Sequence, residues 1–246
     1  MTIRNARFAR PVLSAVCAVS LATLAACSGG SVCIGFDGCA VVTPTPVIAL
    51  AGTAATGKAL ASANVTATCA QGSAATLSDG GGRYSLTFNG LLPCVMSVTS
   101  GGTTLHSLAF AGGTFNTTPE TELMIVYLAA QLGTSEANLL ASISTNAQFQ
   151  QALSNANNVL AAQSAVVANL QQQYAVTLTV PTFLTTPFTV GQAGVDSDLE
   201  ALAKAGAIDT NGMPDPVAVA LLTQAGLAHP LAKVSVSPVS AAMSGM

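Results

Sequence analysis

Apolar residues along this chain change their spacing near residue 116. From Val47 to about Phe115 the period is close to two. Val65, Ala67 and Cys69 alternate with Thr66 and Thr68, and Tyr84, Leu86 and Phe88 alternate with Ser85 and Thr87. That is the pattern of strands with one buried face. Five runs fit it: Val47–Leu50, Asn64–Cys69, Arg83–Phe88, Cys94–Thr99 and Thr104–Phe110. Turn-forming clusters separate them, including Gly52…Gly57, Gln71-Gly72-Ser73, Asp79-Gly80-Gly81-Gly82, Asn89-Gly90 and Gly101-Gly102. Short strands at this spacing predict an all-β, Ig-like sandwich over 47–115.

Beyond Asn116 the period becomes helical. Thr118 is placed to cap a helix over 119–131, with Pro119 in the first turn and acids at Glu120 and Glu122. That helix should bury Leu123, Val126 and Tyr127. Gly133-Thr134-Ser135 ends it, and a short helix follows from Glu136 to about Ile143. Phe149, Leu153, Ala156, Leu160, Gln163, Val167, Leu170 and Tyr174 recur at steps of four and three, which predicts one long helix over 147–174. The seam lacks flanking charges, which favours packing on the chain's own helices over a coiled-coil partner. Residues 175–195 read as extended and Thr-rich, broken by Pro181 and Pro187. Asp196 or Ser197 is expected to cap a helix to about Ala205, and Pro216 to open a last one to about Ala225. The expected fold class is therefore α+β, a sandwich followed by an α-helical region over 116–228 and a loose tail over 229–246.

The N-terminus adds a different signal. Arg4, Arg7 and Arg10 precede an apolar run from Pro11 to Ala26 that ends in small residues, the order of a secretory signal peptide over 1–26. Its last residues, Leu24-Ala25-Ala26-Cys27, resemble the lipobox of bacterial lipoproteins. That resemblance implies cleavage before Cys27 and lipidation of its thiol. Residues 27–46 then read as a tether, with flexible Ser28-Gly29-Gly30-Ser31 and stiffer Thr43-Pro44-Thr45-Pro46. Ser28 after the lipid cysteine resembles enterobacterial lipoproteins sorted to the outer membrane.

Charge sharpens this picture. Of 246 residues only 7% are charged, and none lies between Glu136 and Asp196. Without 1–26, four cations (Lys58, Arg83, Lys204, Lys233) face ten acids, a net charge of −6. Nucleic acid is an unsuitable partner, because phosphate binding needs clustered Lys or Arg. Docking on anionic lipid fails for the same reason. After residue 26 no run of about 18 apolar residues would span a bilayer. The expected hold on the membrane is the lipid on Cys27.

Cys33, Cys39, Cys69 and Cys94 remain, an even number in an exported chain, and disulfides are expected. Of the three possible pairings, Cys33–Cys39 and Cys69–Cys94 are favoured. Zinc is the rival, and the spacing lacks the close pairs of zinc sites.

The run Gly52…Gly57-Lys58-Ala59-Leu60…Ala63-Asn64-Val65-Thr66-Ala67, followed by Ala75-Thr76…Asp79…Gly82-Arg83-Tyr84-Ser85-Leu86, resembles the carboxypeptidase regulatory-like domain. The likeness covers about 70 residues. Ser78 stands where that family usually has Thr, and the turn has an extra Gly. The resemblance implies a prealbumin-like β-sandwich serving as an accessory module in an exported protein.

Candidate chemistry is sparse. Gly52–Lys58 imitates a phosphate loop, but Ala59 replaces the magnesium-binding hydroxyl and a strand follows instead of a helix. Asp209-x-Asn211-Gly212-x-x-Asp215 and Asp196-x-Asp198-x-Glu200 cluster oxygens where turns and helix starts already explain them. His106 reads as a sheet residue, and Glu120 and Glu122 as helix-start acids facing apart. Asp79, Arg83 and Tyr84 share one hairpin and form a candidate sugar-binding group. Asn64-Val65-Thr66 and Asn116-Thr117-Thr118 match the glycosylation pattern, which a bacterial origin discounts. No catalytic residue, metal site or cofactor is expected. The expected function is structural or binding work at the cell envelope, with an envelope protein or a glycan as partner. Alternatives are an assembly partner docking its long helix, and an envelope hydrolase.

Overall fold

The computed structural model describes residues 31–32, 40–41 and 44–231. The chain divides into two units, Met1–Pro44 and Thr45–Met246. In the first, β1 (Ser31–Val32) pairs antiparallel with β2 (Ala40–Val41). The expected signal peptide over 1–26, Cys27, Cys33 and Cys39 lie outside the described residues, as do residues 232–246 of the expected tail.

The second unit is mixed α+β, with strands first and helices after. A three-stranded sheet has β3 (Val47–Thr53) at its centre. Strand β6 (Arg83–Asn89) runs antiparallel on one side of it, and β9 (Gly113–Thr114) parallel on the other. A four-stranded antiparallel sheet follows the order β5 (Ser73–Leu77), β4 (Asn64–Gln71), β7 (Leu91–Ser100), β8 (Thr103–Ala109). On β4 the alternation is as expected: Val65, Ala67 and Cys69 are buried. Opposite them on β7 stand Val98, Met96 and Cys94. Cys69 and Cys94 face each other directly and form a disulfide, with Cα atoms 3.8 Å apart. These residues share one core with Ile48, Leu50, Tyr84 and Leu86 of the three-stranded sheet.

The other face of β7 and β8 carries Val95 and Leu108, a buried cross-strand pair, and next to it His106, which stands opposite Ser97. Here α1 (Pro119–Gln131) packs against β8 and touches α2 (Glu136–Ser142), α4 (Ala156–Tyr174) and α6 (Pro216–Ala228). Thr118 caps α1 and Pro119 opens it, as expected, and Thr118 and Thr121 satisfy each other's backbone N–H groups. All thirteen residues of α1 are buried, not one stripe of them. The run Leu123–Ala130 is apolar on every side, which marks a central helix. Gly226 of α6 allows that helix to approach α1. A Cβ there would lie 2.7 Å from Ala130 Cβ.

The expected long helix is two helices. Helix α3 (Ala147–Ser154) ends at Asn155, whose extended backbone and side chain cap α4 by accepting from Asn157 N at 3.0 Å. Asn side chains compete with the helical backbone in this way. The break changes the seam. Val159, Ala162, Gln163, Val166, Val167 and Leu170 are buried, while Leu160 is exposed. Helix α4 packs on α1, α3 and α6. Helix α5 (Val195–Lys204) starts two to three residues earlier than expected, with Gly194 as its cap, so Asp196 and Asp198 lie inside the first turn and are buried. Asp215 caps α6, and the first residues of the expected tail are tied to α1. Gln131 Nε2 donates to His229 O at 2.8 Å, and Leu231 N donates to Gln131 O at 3.0 Å. No helix among the described residues is long and apolar enough to cross a membrane.

Candidate functional site

The segment between α4 and α5 returns to the three-stranded sheet and makes a cleft there. Ala175 ends α4 in the left-handed conformation (φ 51°). Asp198 then holds the chain by accepting from Thr179 N at 2.9 Å and Val180 N at 2.8 Å. Gln163 accepts from Leu184 N at 3.1 Å. Asn116 is the main fastening. It is fully buried, its amide donates to Phe183 O and Thr186 O, each at 2.8 Å, and its carbonyl accepts from Thr53 N at 3.1 Å. Asn116 thus joins β3, 63 positions before it, to a segment 67 to 70 positions after it, and these bonds use every polar atom of an amide that the glycosylation pattern had marked.

Between this segment and the sheet lies a cleft of about 620 Å³. Ala51–Thr53, Arg83–Tyr84 and Thr114 line one side, and Thr186–Thr189 with Gln192–Val195 line the other. Arg83 is exposed and is the one charged residue of the lining. Its Nη2 donates to Thr189 Oγ1 at 2.8 Å, bridging the two sides. Thr53 Oγ1 donates to Phe188 O at 3.2 Å just below it. Threonine hydroxyls, the Gln192 amide and the guanidinium stand beside the apolar surfaces of Tyr84, Pro187, Phe188 and Val180. Gly52 is required at the floor: a Cβ would overlap the Phe115 carbonyl oxygen and press on the Tyr84 ring.

The expected sugar-binding group divides. Arg83 and Tyr84 line the cleft, and Asp79 does not. Asp79 Oδ1 accepts from Gly81 N and Arg83 N, each at 2.8 Å, and so shapes the β5–β6 turn. Tyr84 offers its ring only. Its hydroxyl is buried, donates to Phe115 O and meets Thr117 Oγ1 at 3.0 Å, and burial raises its pKa well above the ordinary tyrosine value. Both acidic clusters are used internally. Asp209 Oδ1 accepts from Asn211 N and Met213 N at 2.8 Å in a turn, and Asp198 fastens Thr179 and Val180.

A second group escaped the sequence reading. His106 on β8, Glu122 on α1 and Glu136 at the start of α2 converge. His106 Nδ1 is 3.1 Å from Glu122 Oε1 and 3.8 Å from Glu136 Oε1, and the His106 backbone N–H donates to Glu122 Oε2. Burial, together with the hydrogen bond to Glu122 and its charge, pushes Glu136 up to about 8. Glu122 is buried too, yet hydrogen bonds from His106 and Glu136 hold it below the usual carboxylate range. The proton of the pair therefore resides on Glu136. Glu120 points away, toward Asp198, as residues two apart on a helix must. The sequence signals for this group were one acid at each of two helix starts, Glu122 and Glu136, and a histidine that reads as a sheet residue. The strand partner His106 could be matched to them only in three dimensions.

No protein-family model, curated protein or solved structure matches this chain.

Proposed function

We propose that this chain is a lipid-anchored binding protein of the bacterial cell envelope, with a glycan as the ligand of its cleft. One observation carries the binding reading: a 620 Å³ cleft pairs apolar ring surfaces with hydroxyl, amide and guanidinium donors. Sugars present the complementary surface, with apolar C–H faces and hydroxyl edges. Binding sites are commonly concave and apolar, with a few placed polar groups. The Arg83 guanidinium has a planar fork of donors that suits a ring hydroxyl pair or a sugar carboxylate. The reading is non-enzymatic. The prealbumin-like, carboxypeptidase regulatory-like assignment is part of the same proposal, supported by a three-stranded and a four-stranded sheet sharing one core.

The envelope location rests on Leu24-Ala25-Ala26-Cys27 and on the Cys69–Cys94 disulfide, a bond that persists in oxidising compartments. Labelling with palmitate should be lost in Cys27→Ser, and retention of label would reject the anchor. For the cleft, wild type and Arg83→Ala are applied to a glycan array. A specific glycan bound by wild type and lost in Arg83→Ala is the expected result. Equal binding by both proteins would reject this site, and turnover of glycoside or ester substrates would reject the non-enzymatic role.

A further inference from the structure

We propose that His106, Glu122 and Glu136 bind a first-row divalent transition metal, with zinc the best fit. Three donor atoms, one imidazole nitrogen and two carboxylate oxygens, lie within 4.8 Å of one another and come from three separate elements. Ligands about 2.0–2.1 Å from a tetrahedral ion are about 3.4 Å apart. The contacts from His106 Nδ1, 3.1 and 3.8 Å, straddle that distance. The donors are already oriented. The His106 backbone N–H donates to Glu122 Oε2 and holds the carboxyl group against the ring, with Oε1 and Oε2 3.1 and 3.2 Å from Nδ1, and Thr121 Oγ1 fixes the same backbone by donating to His106 O at 2.8 Å. Such supporting bonds are what aim ligands at a metal.

Electrostatics point the same way. Two carboxyl groups meet one imidazole, and among the described residues neither forms an ion pair with Lys or Arg. The Glu122 side chain is 9% exposed and that of Glu136 31%, so the site is closed on one side and open to a water ligand on the other. A mixed nitrogen and oxygen donor set suits zinc, manganese or iron(II), whereas calcium and magnesium take oxygen alone.

The test uses the whole mature chain with its disulfide intact, stripped by chelator and titrated with zinc by calorimetry. Cobalt is followed in parallel by visible absorption. One equivalent should bind, His106→Ala and Glu136→Gln should each weaken binding about tenfold or more, and His229→Ala should leave it unchanged. Glu136 is partly exposed at a helix start, so Glu136→Gln keeps the fold, and its metal-free melting curve verifies this. Failure to take up zinc or cobalt overturns the proposal, leaving a shared proton as the cluster's occupant. Uptake unaffected by His106→Ala and Glu136→Gln overturns it as well, since the ion would then sit elsewhere. Calcium bound as tightly as zinc removes the imidazole from the site and overturns it too.

Discussion

Glu120 lies in the first turn of α1 with both carboxyl oxygens buried and no hydrogen-bond partner. Burial, reinforced by the charge of Asp198, raises its pKa well above the ordinary value. The fold thus holds a proton that the unfolded chain releases near pH 4.5. Its contribution is fully present below about pH 4.5 and is lost as pH rises toward the folded value. Glu136, pushed up to about 8, acts in the same sense, losing its contribution between its ordinary value and about 8. Glu122 is depressed and acts oppositely, its contribution being lost only as pH falls through its folded value. Metal-free protein should therefore melt lower at pH 8 than at pH 5. Glu120→Met removes a buried carboxyl and should stabilise the protein at pH 8 by about 1–3 kcal/mol, with a smaller gain at pH 5. Thermal melts at the two pH values decide this, and a melting point that rises from pH 5 to pH 8 contradicts it. Asn116 makes the opposite case, a buried amide with every group paired. Asn116→Ala leaves Thr53 N, Phe183 O and Thr186 O without their partner. A loss of about 2 kcal/mol or more is expected, with faster amide exchange over 183–189.

Helix α1 organises the helical half, and its local signals were readable. Thr118, Pro119 and the acids after them act within one turn, so sequence and structure agree there. Its role was harder to see. An amphipathic stripe was expected, but the helix is buried all round because β8, α4 and α6 each take a face. Its contact with α6 depends on Gly226, where a Cβ would press on the Tyr127 carbonyl at 2.5 Å. Gly226→Ala should cost about 1–3 kcal/mol despite the better helix propensity of Ala, as chemical denaturation would show; a gain in stability would contradict the close approach. The long helix was misread because apolar spacing continues through Asn155 while the backbone does not. Strand β5 was missed because Ser73–Leu77 lies between two turn clusters and buries little. Strand β9 has two residues and no period to detect. The expected strands themselves were placed correctly, and four of the five run longer than expected because the ladder pairing carries into flanking residues, such as Ala51–Thr53 of β3 and Leu91–Pro93 of β7.

At the scale of the molecule, Thr45 onward is one compact unit, with strands and helices contributing to a single core. The disulfide could be anticipated, since Cys69 and Cys94 close strands that alternate in phase. The cleft could not be read as a whole. Arg83 and Tyr84 were singled out from their hairpin, but the opposing wall comes from residues 186–195, and Arg83 meets Thr189 across 106 positions. No local pattern carries such a pairing. Its geometry follows from Asn116, Gln163 and Asp198, which fasten a Thr-rich segment whose own sequence reads as a loop. Binding in this cleft is tested by two-dimensional NMR of isotope-labelled residues 27–246 carrying Cys27→Ser, titrated with cell-envelope oligosaccharides. Saturable shifts of the amides of Ala51–Thr53, Arg83–Tyr84 and Thr186–Val195 are expected, with the remainder of the spectrum unchanged. Saturable shifts confined to any other surface, or none across the panel, would contradict it.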